Sequence, residues 1–232
     1  MTTLSTTTAP MIGKKSPLSR RRTATTVGIL FVVQMVTAMF GTSMIQAFVD
    51  GNTDRTSMTL GVALMMCAGL AVVAIGLLMY PVLKDVNPRL AVWYPILRIT
   101  EFTVSAACGV YLLAQSEIVS NYMLWIYVPT GLGGIILTYL LFVSRLVPRP
   151  IALLGLAGYV SLTLGVPLDL LGVLDMSAGA GLLLVVPGGL FELVFLPVWL
   201  IAKGFSARPA AACELMMPAC SLATTPSFCS AS

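Results

Sequence analysis

The sequence predicts an all-α fold: a polytopic membrane helical bundle with six transmembrane helices. Three observations carry that expectation. Of 232 residues, 58% are hydrophobic and 9% charged, with a mean hydropathy of +0.96. A soluble domain is about a quarter charged, so water could not hold such a surface. The apolar residues also fall into six runs, each near the roughly 20 residues that cross about 30 Å of hydrocarbon. Finally, the basic residues gather in alternate connections between those runs.

The elements follow in order. Residues 1–23 are polar, Thr-rich and basic, and are expected to form a disordered cytoplasmic N-terminus ending in Arg20-Arg21-Arg22. The first span is expected over about 24–47; its apolar run is too long for a cleaved signal peptide, so it is read as a retained helix anchored by the arginines. Further spans are expected over about 57–80, 90–114, 122–144, 151–174 and 179–202. The breakers between them include Asp50-Gly51-Asn52 and Asn87-Pro88, and Pro148-Arg149-Pro150 separates spans four and five. The six-helix domain is thus 24–205. Residues 206–232 change to Ala, Ser, Pro, Thr and Cys without a helical period, a loose cytoplasmic tail in which Glu214-Leu215-Met216-Met217 can rest on the membrane surface. Cys229 stands fourth from the end, but Ser230 and Ala231 are not the aliphatic pair of a lipidation box.

Orientation comes from the flanking charges. With the N-terminus inside, the cytoplasmic set is Lys14, Lys15, Arg20, Arg21, Arg22, Lys84, Arg89, Arg145, Arg149, Lys203 and Arg208, which is 11 of the 13 basic residues. Arg55 alone remains outside, with Asp50, Asp54, Glu117 and Asp175. Both termini are therefore expected in the cytoplasm. Nucleic acid is excluded as a partner, because the net charge of +4 is not gathered on one basic face. The chain has no histidine, which removes the commonest zinc ligand and the usual general base. Cys67 and Cys108 lie in apolar runs, and Cys213, Cys220 and Cys229 lack metal or redox spacing. No metal site and no cofactor is expected. No nucleophile elbow, zinc-protease motif or phosphate loop is present, so no catalytic residue is assigned.

Four ionisable residues fall within the spans: Arg98 and Glu101 on helix three, Asp169 on helix five and Glu192 on helix six. Each costs a few kcal/mol or more at bilayer depth unless paired or wetted, so these are the candidate site residues. Arg98 lies about 12 Å from the cytoplasmic end of helix three, Glu101 about 16 Å, and Glu192 about 15 Å from that of helix six. One arginine can therefore meet two carboxylates, leaving an excess negative charge for a proton, a cation or a cationic ligand. Helix six is interrupted by Pro187-Gly188-Gly189 and Pro197, whose missing donors disturb Leu183 and Leu193. Charges beside interrupted helices often mark transporter sites, yet the reading favoured for these residues is structural, an Arg98–Glu192 or Arg98–Glu101 pair that locks helices three and six together. Asp169, about 8 Å from the outer end of helix five, is a second polar station or an interfacial residue, and its shallow depth favours the latter. Ser105 with Gly109, and Gly131, Gly133 and Gly134, read as close helix packing, and Gln34 as a partner for a neighbouring helix. Trp93, Tyr94, Tyr122, Trp125 and Tyr127 read as an aromatic belt.

Three segments extend these readings: Pro81-Val82-Leu83-Lys84-Asp85-Val86-Asn87-Pro88-Arg89-Leu90-Ala91 continuing to Leu97-Arg98-Ile99-Thr100-Glu101, then Phe142-Val143-Ser144-Arg145-Leu146-Val147-Pro148-Arg149-Pro150-Ile151, then Glu192-Leu193 through Trp199-Leu200-Ile201-Ala202-Lys203-Gly204-Phe205. In this order and spacing, over roughly 25–205, they resemble the bacterial integral membrane family catalogued as domain of unknown function 4386. The resemblance implies a six-helix protein of the bacterial plasma (inner) membrane with no assigned activity. The family's helix-three arginine followed by glutamate or glutamine is matched by Arg98 and Glu101, and its helix-six glutamate by Glu192. It offers no catalytic role.

Three functions are weighed. The first is binding or passage of a small solute at the midplane Arg/Glu cluster. The second is a structural or accessory scaffold whose charges are internal staples. The third is a membrane enzyme acting on lipid-phase substrates, which has no signature to support it. The partners expected are the lipid bilayer, a small solute or lipid, and further copies of the chain.

Overall fold

A computed structural model describes residues 17–119, 121–176 and 179–206, and over these the chain is a six-span helical bundle. The elements are α1 (Pro17–Val49), α2 (Arg55–Leu83), α3 (Pro88–Gln115), α4 (Tyr122–Ser144) and α5 (Arg149–Leu170). The sixth span, Leu182–Ala202, comprises α6 (Leu182–Leu190), a π-helical turn (Phe191–Phe195) and α7 (Leu196–Ala202). All six are long and apolar enough to cross a membrane, so the chain is a multi-pass membrane protein. Lys14, Lys15 and Arg208, the three tail cysteines and Glu214–Met217 lie outside the described residues.

Local chemistry sets the helix ends. Asp54 caps α2, accepting the Ser57 backbone N–H at 3.1 Å and the Ser57 hydroxyl at 2.9 Å. Asn87 caps α3 by accepting from Arg89 N and Leu90 N, and Pro88 follows at the position that needs no donor. Two boundaries differ from the sequence expectation. α1 begins at Pro17 instead of residue 24, so the arginine triplet is helical and extends the span beyond its apolar run. α5 stops at Leu170 instead of 174, because Gly172 turns left-handed at φ 70° and the Asp169 carboxylate accepts the Met176 backbone N–H at 2.6 Å, holding the chain in a loop.

Each helix packs on its neighbour in sequence, and the ring closes where α7 packs on α1. Successive helices run antiparallel, so one end carries Arg20–Arg22, Lys84, Arg89, Arg145, Arg149 and Lys203. Contacts there tie distant segments together: Ser206 N donates to Leu146 O at 2.9 Å, and Gly204 lies against Ala24 and Arg21. Most of the buried core belongs to this half, around Phe31, Met79, Leu83, Leu137, Leu141 and Leu200. The opposite half has a smaller cluster around Ile45, Met58, Val62 and Leu112.

Small residues set the closest approaches. A Cβ on Gly158 would collide with the Gly188 backbone N and lie 2.8 Å from its Cα, so α5 and α6 meet backbone to backbone. A Cβ on Gly134 would enter the Tyr159 ring, and one on Gly109 would lie 3.1 Å from Val62 and Met66. The sixth span changes register above Pro197. Without an N–H there, Leu193 loses its helical donor, and Leu196 N donates five residues back to Phe191 O. The extra residue rotates one half of the span by about 100° relative to the other.

Two outcomes follow. Gly158→Val is expected to lower the melting temperature in detergent sharply or abolish folding, while Gly189→Ala, with nothing within 4 Å, should melt like the parent. Equal melting of both variants would contradict this packing. The Ser57 hydrogen bonds hold the Asp54 carboxyl below its ordinary value of 3.8, so its capping contribution is present at neutral pH and is lost as pH falls through the lowered value. Protection of the amides at the start of α2, taken relative to their intrinsic exchange rate at each pH, should therefore fall in strong acid, and Asp54→Ala should show that lower protection already at neutral pH.

Candidate functional site

Arg98, on α3, is the largest fully buried side chain among the described residues, with 1% exposure. Its stem passes between two glycines: a Cβ on Gly76 of α2 would lie 3.2 Å from Arg98 Cβ, and one on Gly133 of α4 would reach 4.0 Å from Nε. Beneath it lies the Tyr94 ring, one turn earlier on α3, with the guanidinium carbon 5.3 Å from the ring centroid. Tyr94 is therefore not part of the aromatic belt; it is wholly buried under the cation, while Trp93 and Trp125 stay more than half exposed.

The guanidinium divides between two carboxylates. Nη1 donates to Glu101 Oε2 at 2.8 Å along α3, and Nη2 donates to Glu192 Oε1 at 3.1 Å across to the sixth span. The fork geometry of arginine allows both at once, with a separate terminal nitrogen aimed at each carboxylate. Glu192 gathers two more donors. The Tyr159 hydroxyl of α5 donates to Oε1, and Gln34 Nε2 of α1 donates to Oε2 at 3.1 Å. Four helical spans thus converge on one carboxylate, and Glu192 sits within the π turn. Such turns recur at functional positions because the extra residue re-aims a side chain without ending the helix.

Above this cluster, away from the basic end, lies a cavity of about 1230 Å³. Glu101, Glu192, Gln34 and Tyr159 form its floor. From there it runs along α1 and the turn that follows it as far as Asn52, and along α6 as far as Leu182. α1 packs on α7 and the π turn, whereas the upper part of α1 and α6 both face this space. Arg98 is not among the lining residues. Three buried polar atoms near the floor have no hydrogen-bond partner among the described residues: Gln34 Oε1, Tyr94 Oη and Arg98 Nε. Among the described residues, no three His, Cys, Asp or Glu side chains come together to hold a metal ion.

Of the four residues singled out from the sequence, Arg98, Glu101 and Glu192 come together. Asp169 does not join them; it lines the cavity higher up, with its carboxylate engaged by the Met176 backbone N–H. Sequence reasoning missed Tyr159 and misplaced Tyr94. Both left a trace. Tyr94 is four residues before Arg98, on the same helix face, and Tyr159 is as many residues from the basic end of its helix as Arg98 is from the start of α3, too deep for a belt residue.

Removing Arg98 would leave two carboxylates in the interior, one of them 6% exposed. Arg98→Ala is expected to destabilise the protein by about 3–5 kcal/mol, whereas Tyr159→Phe, deleting one of several donors, should cost about 1–3 kcal/mol. Thermal melting in detergent checks both, and parent-like melting of Arg98→Ala would contradict the pairing.

No curated protein and no solved structure shows significant similarity to this chain. A family model, described as a domain of unknown function, DUF4386, matches residues 26–123 and 110–204, which takes in all six spans and the whole Arg98 cluster. The chain belongs to the DUF4386 family.

Proposed function

We propose that this multi-pass membrane protein binds or passes a small solute at the Arg98–Glu101–Glu192 cluster, reached through the cavity above it. The observation that carries this reading is that the cavity of about 1230 Å³ ends on Glu101 and Glu192 and does not stop short of them. Sites for small molecules are concave, mostly apolar and furnished with a few convergent polar groups, and this one has that make-up. One guanidinium faces two carboxylates, so with both ionised the floor holds one negative charge in excess, which a bound proton or cation can neutralise. The membrane is the plasma (inner) membrane of a bacterium. Grouping of the basic residues at the densely packed end supports an orientation with that end, and both termini, in the cytoplasm. The cavity then opens away from the cytoplasm. Six spans are few for a carrier that alternates access, so a homo-oligomer in the bilayer fits this function best.

A second reading has its own support. Arg98 is 1% exposed and links α3 to the sixth span, the arrangement expected of an internal staple in a structural or accessory scaffold. The two readings separate on whether water reaches the floor.

Cysteine labelling decides between them. Ser105 lies one turn above Glu101 on the cavity wall. In a chain whose five native cysteines are replaced by alanine, Ser105→Cys should react with iodoacetamide in intact membranes, while Leu137→Cys in the close-packed core should not. An inert Ser105→Cys beside a reactive Asn52→Cys at the cavity rim would remove the binding reading and leave the scaffold.

A further inference from the structure

The cavity's wall says what kind of solute it suits. Among the described residues, its charged side chains are Asp50, Glu101, Asp169 and Glu192, so every one is a carboxylate. The guanidinium at the floor, that of Arg98, lies beneath it at 1% exposure and is already shared between two carboxylates. An anion entering this space would meet carboxylates with no cation presented to it. At the open end, Asp54, Glu117 and Asp175 add further negative charge against Arg55, whose Nη2 donates to Leu113 O at 3.0 Å. A negative potential in a cleft with low-dielectric walls raises the local concentration of cations.

The two floor carboxylates are not equivalent. Glu192 receives Arg98, Tyr159 and Gln34. Glu101 takes Arg98 on Oε2 and sits beside Thr130 on the cavity wall. A carboxylate offers about four lone-pair sites, so Glu101 keeps acceptor capacity for a ligand. Gln34 supplies an independent sign, an unmet acceptor: it is 6% exposed, lines the cavity, and its Oε1 accepts from none of the described residues. Both groups ask for a positively charged or N–H-bearing partner.

The remaining wall is apolar and polarizable. Met35, Met39, Met65 and Met123 face it, with Phe102 and Tyr127 among the rings. A fully hydrated inorganic ion gains little from such walls. An organic body gains burial of its apolar surface, thioether sulfurs adapt to its shape, and aromatic faces attract a cationic nitrogen.

We propose that the cavity takes a hydrophobic organic cation of single positive charge, a substituted ammonium, with its charged nitrogen seated against Glu101 beside Gln34 and its apolar body against the methionine and aromatic wall. One such ligand neutralises the one negative charge left over by Arg98, Glu101 and Glu192. This rests on the reading that the cavity is a solute site.

The test uses the full chain in detergent with its native cysteines replaced by alanine and Ser105→Cys added, with benzyldimethylammonium (which keeps one N–H), benzenesulfonate and caesium chloride as probes. The organic cation is expected to slow iodoacetamide labelling at Ser105→Cys, while the sulfonate at equal concentration does not. Protection by caesium as strong as that by the organic cation would assign the site to small inorganic ions and overturn the proposal. Equal protection by the sulfonate would overturn it too. Labelling that none of the probes slows removes the organic cation and leaves the water-filled cavity standing; absence of labelling removes the solute site itself. Calorimetric titration of benzyldimethylammonium into the parent chain and into Glu101→Gln completes the assignment. The expected result is at least a roughly tenfold loss of affinity in the variant, as for deleting one partner of a buried charge pair. A folded Glu101→Gln with unchanged affinity would place the nitrogen elsewhere and overturn the proposal.

Discussion

A guanidinium at bilayer depth has to be matched by negative charge held close, and the rest of this structure is arranged around meeting that constraint at Arg98. The side chain is 1% exposed, and its two terminal nitrogens reach Glu101 and Glu192 at 2.8 and 3.1 Å. Ion pairs out of water recover their desolvation cost only when the remaining hydrogen-bonding capacity is also met. Several features serve this: Gly76 and Gly133 make room for the arginine stem, Tyr94 lies under its charged face, and Tyr159 and Gln34 complete Glu192. α1, α3, α5 and the sixth span therefore share one polar junction, and α2 and α4 supply the glycines that let it close.

That junction also divides the bundle into two unlike halves. Toward the basic end the helices are close-packed around Phe31, Leu83, Leu137 and Leu200. Beyond the junction, α1 and α6 separate and the space between them is the cavity. The π turn sits at the division. Below it α7 packs on α1; above it α6 packs on α5 through the Gly158–Gly188 contact. A regular helix would keep both halves on one face, and the inserted residue lets the same span serve two neighbours while aiming Glu192 inward. Excess negative charge at the floor of an open cavity is chemistry suited to binding, whereas the same charges in a filled interior would be fasteners alone.

Much of this was legible in the sequence, for identifiable reasons. Hydropathy and length give six spans directly, and a rise of about 1.5 Å per residue puts Arg98, Glu101 and Glu192 at one depth from the sequence alone. The spacing of three between Arg98 and Glu101 puts them on one face. Other parts depend on information that no single residue carries. Tyr159 is silent in a hydropathy reading, since a tyrosine in a span is equally a packing ring or a donor, and only the placement of α5 against the sixth span decides. Tyr94 reads as a belt residue from its closeness to the helix start, but its position one turn from Arg98 is the stronger constraint. Pro197 announced a weak point in the sixth span, but whether such a point kinks, unwinds or widens depends on what packs beside it. The cavity is the least legible feature of all, because helical periodicity fixes which face is apolar and not how far two helices splay.

The central claim is that Arg98 and Glu192 act as one unit across the bundle, and a double-mutant cycle on their melting free energies tests it most directly. With Arg98→Gln, Glu192→Gln and the double variant, direct pairing requires the double variant to be less destabilised than the sum of the single ones, by about 2 kcal/mol or more. Additivity of the two substitutions within about 0.5 kcal/mol would mean that the residues do not sense each other, and the polar junction would have to be abandoned.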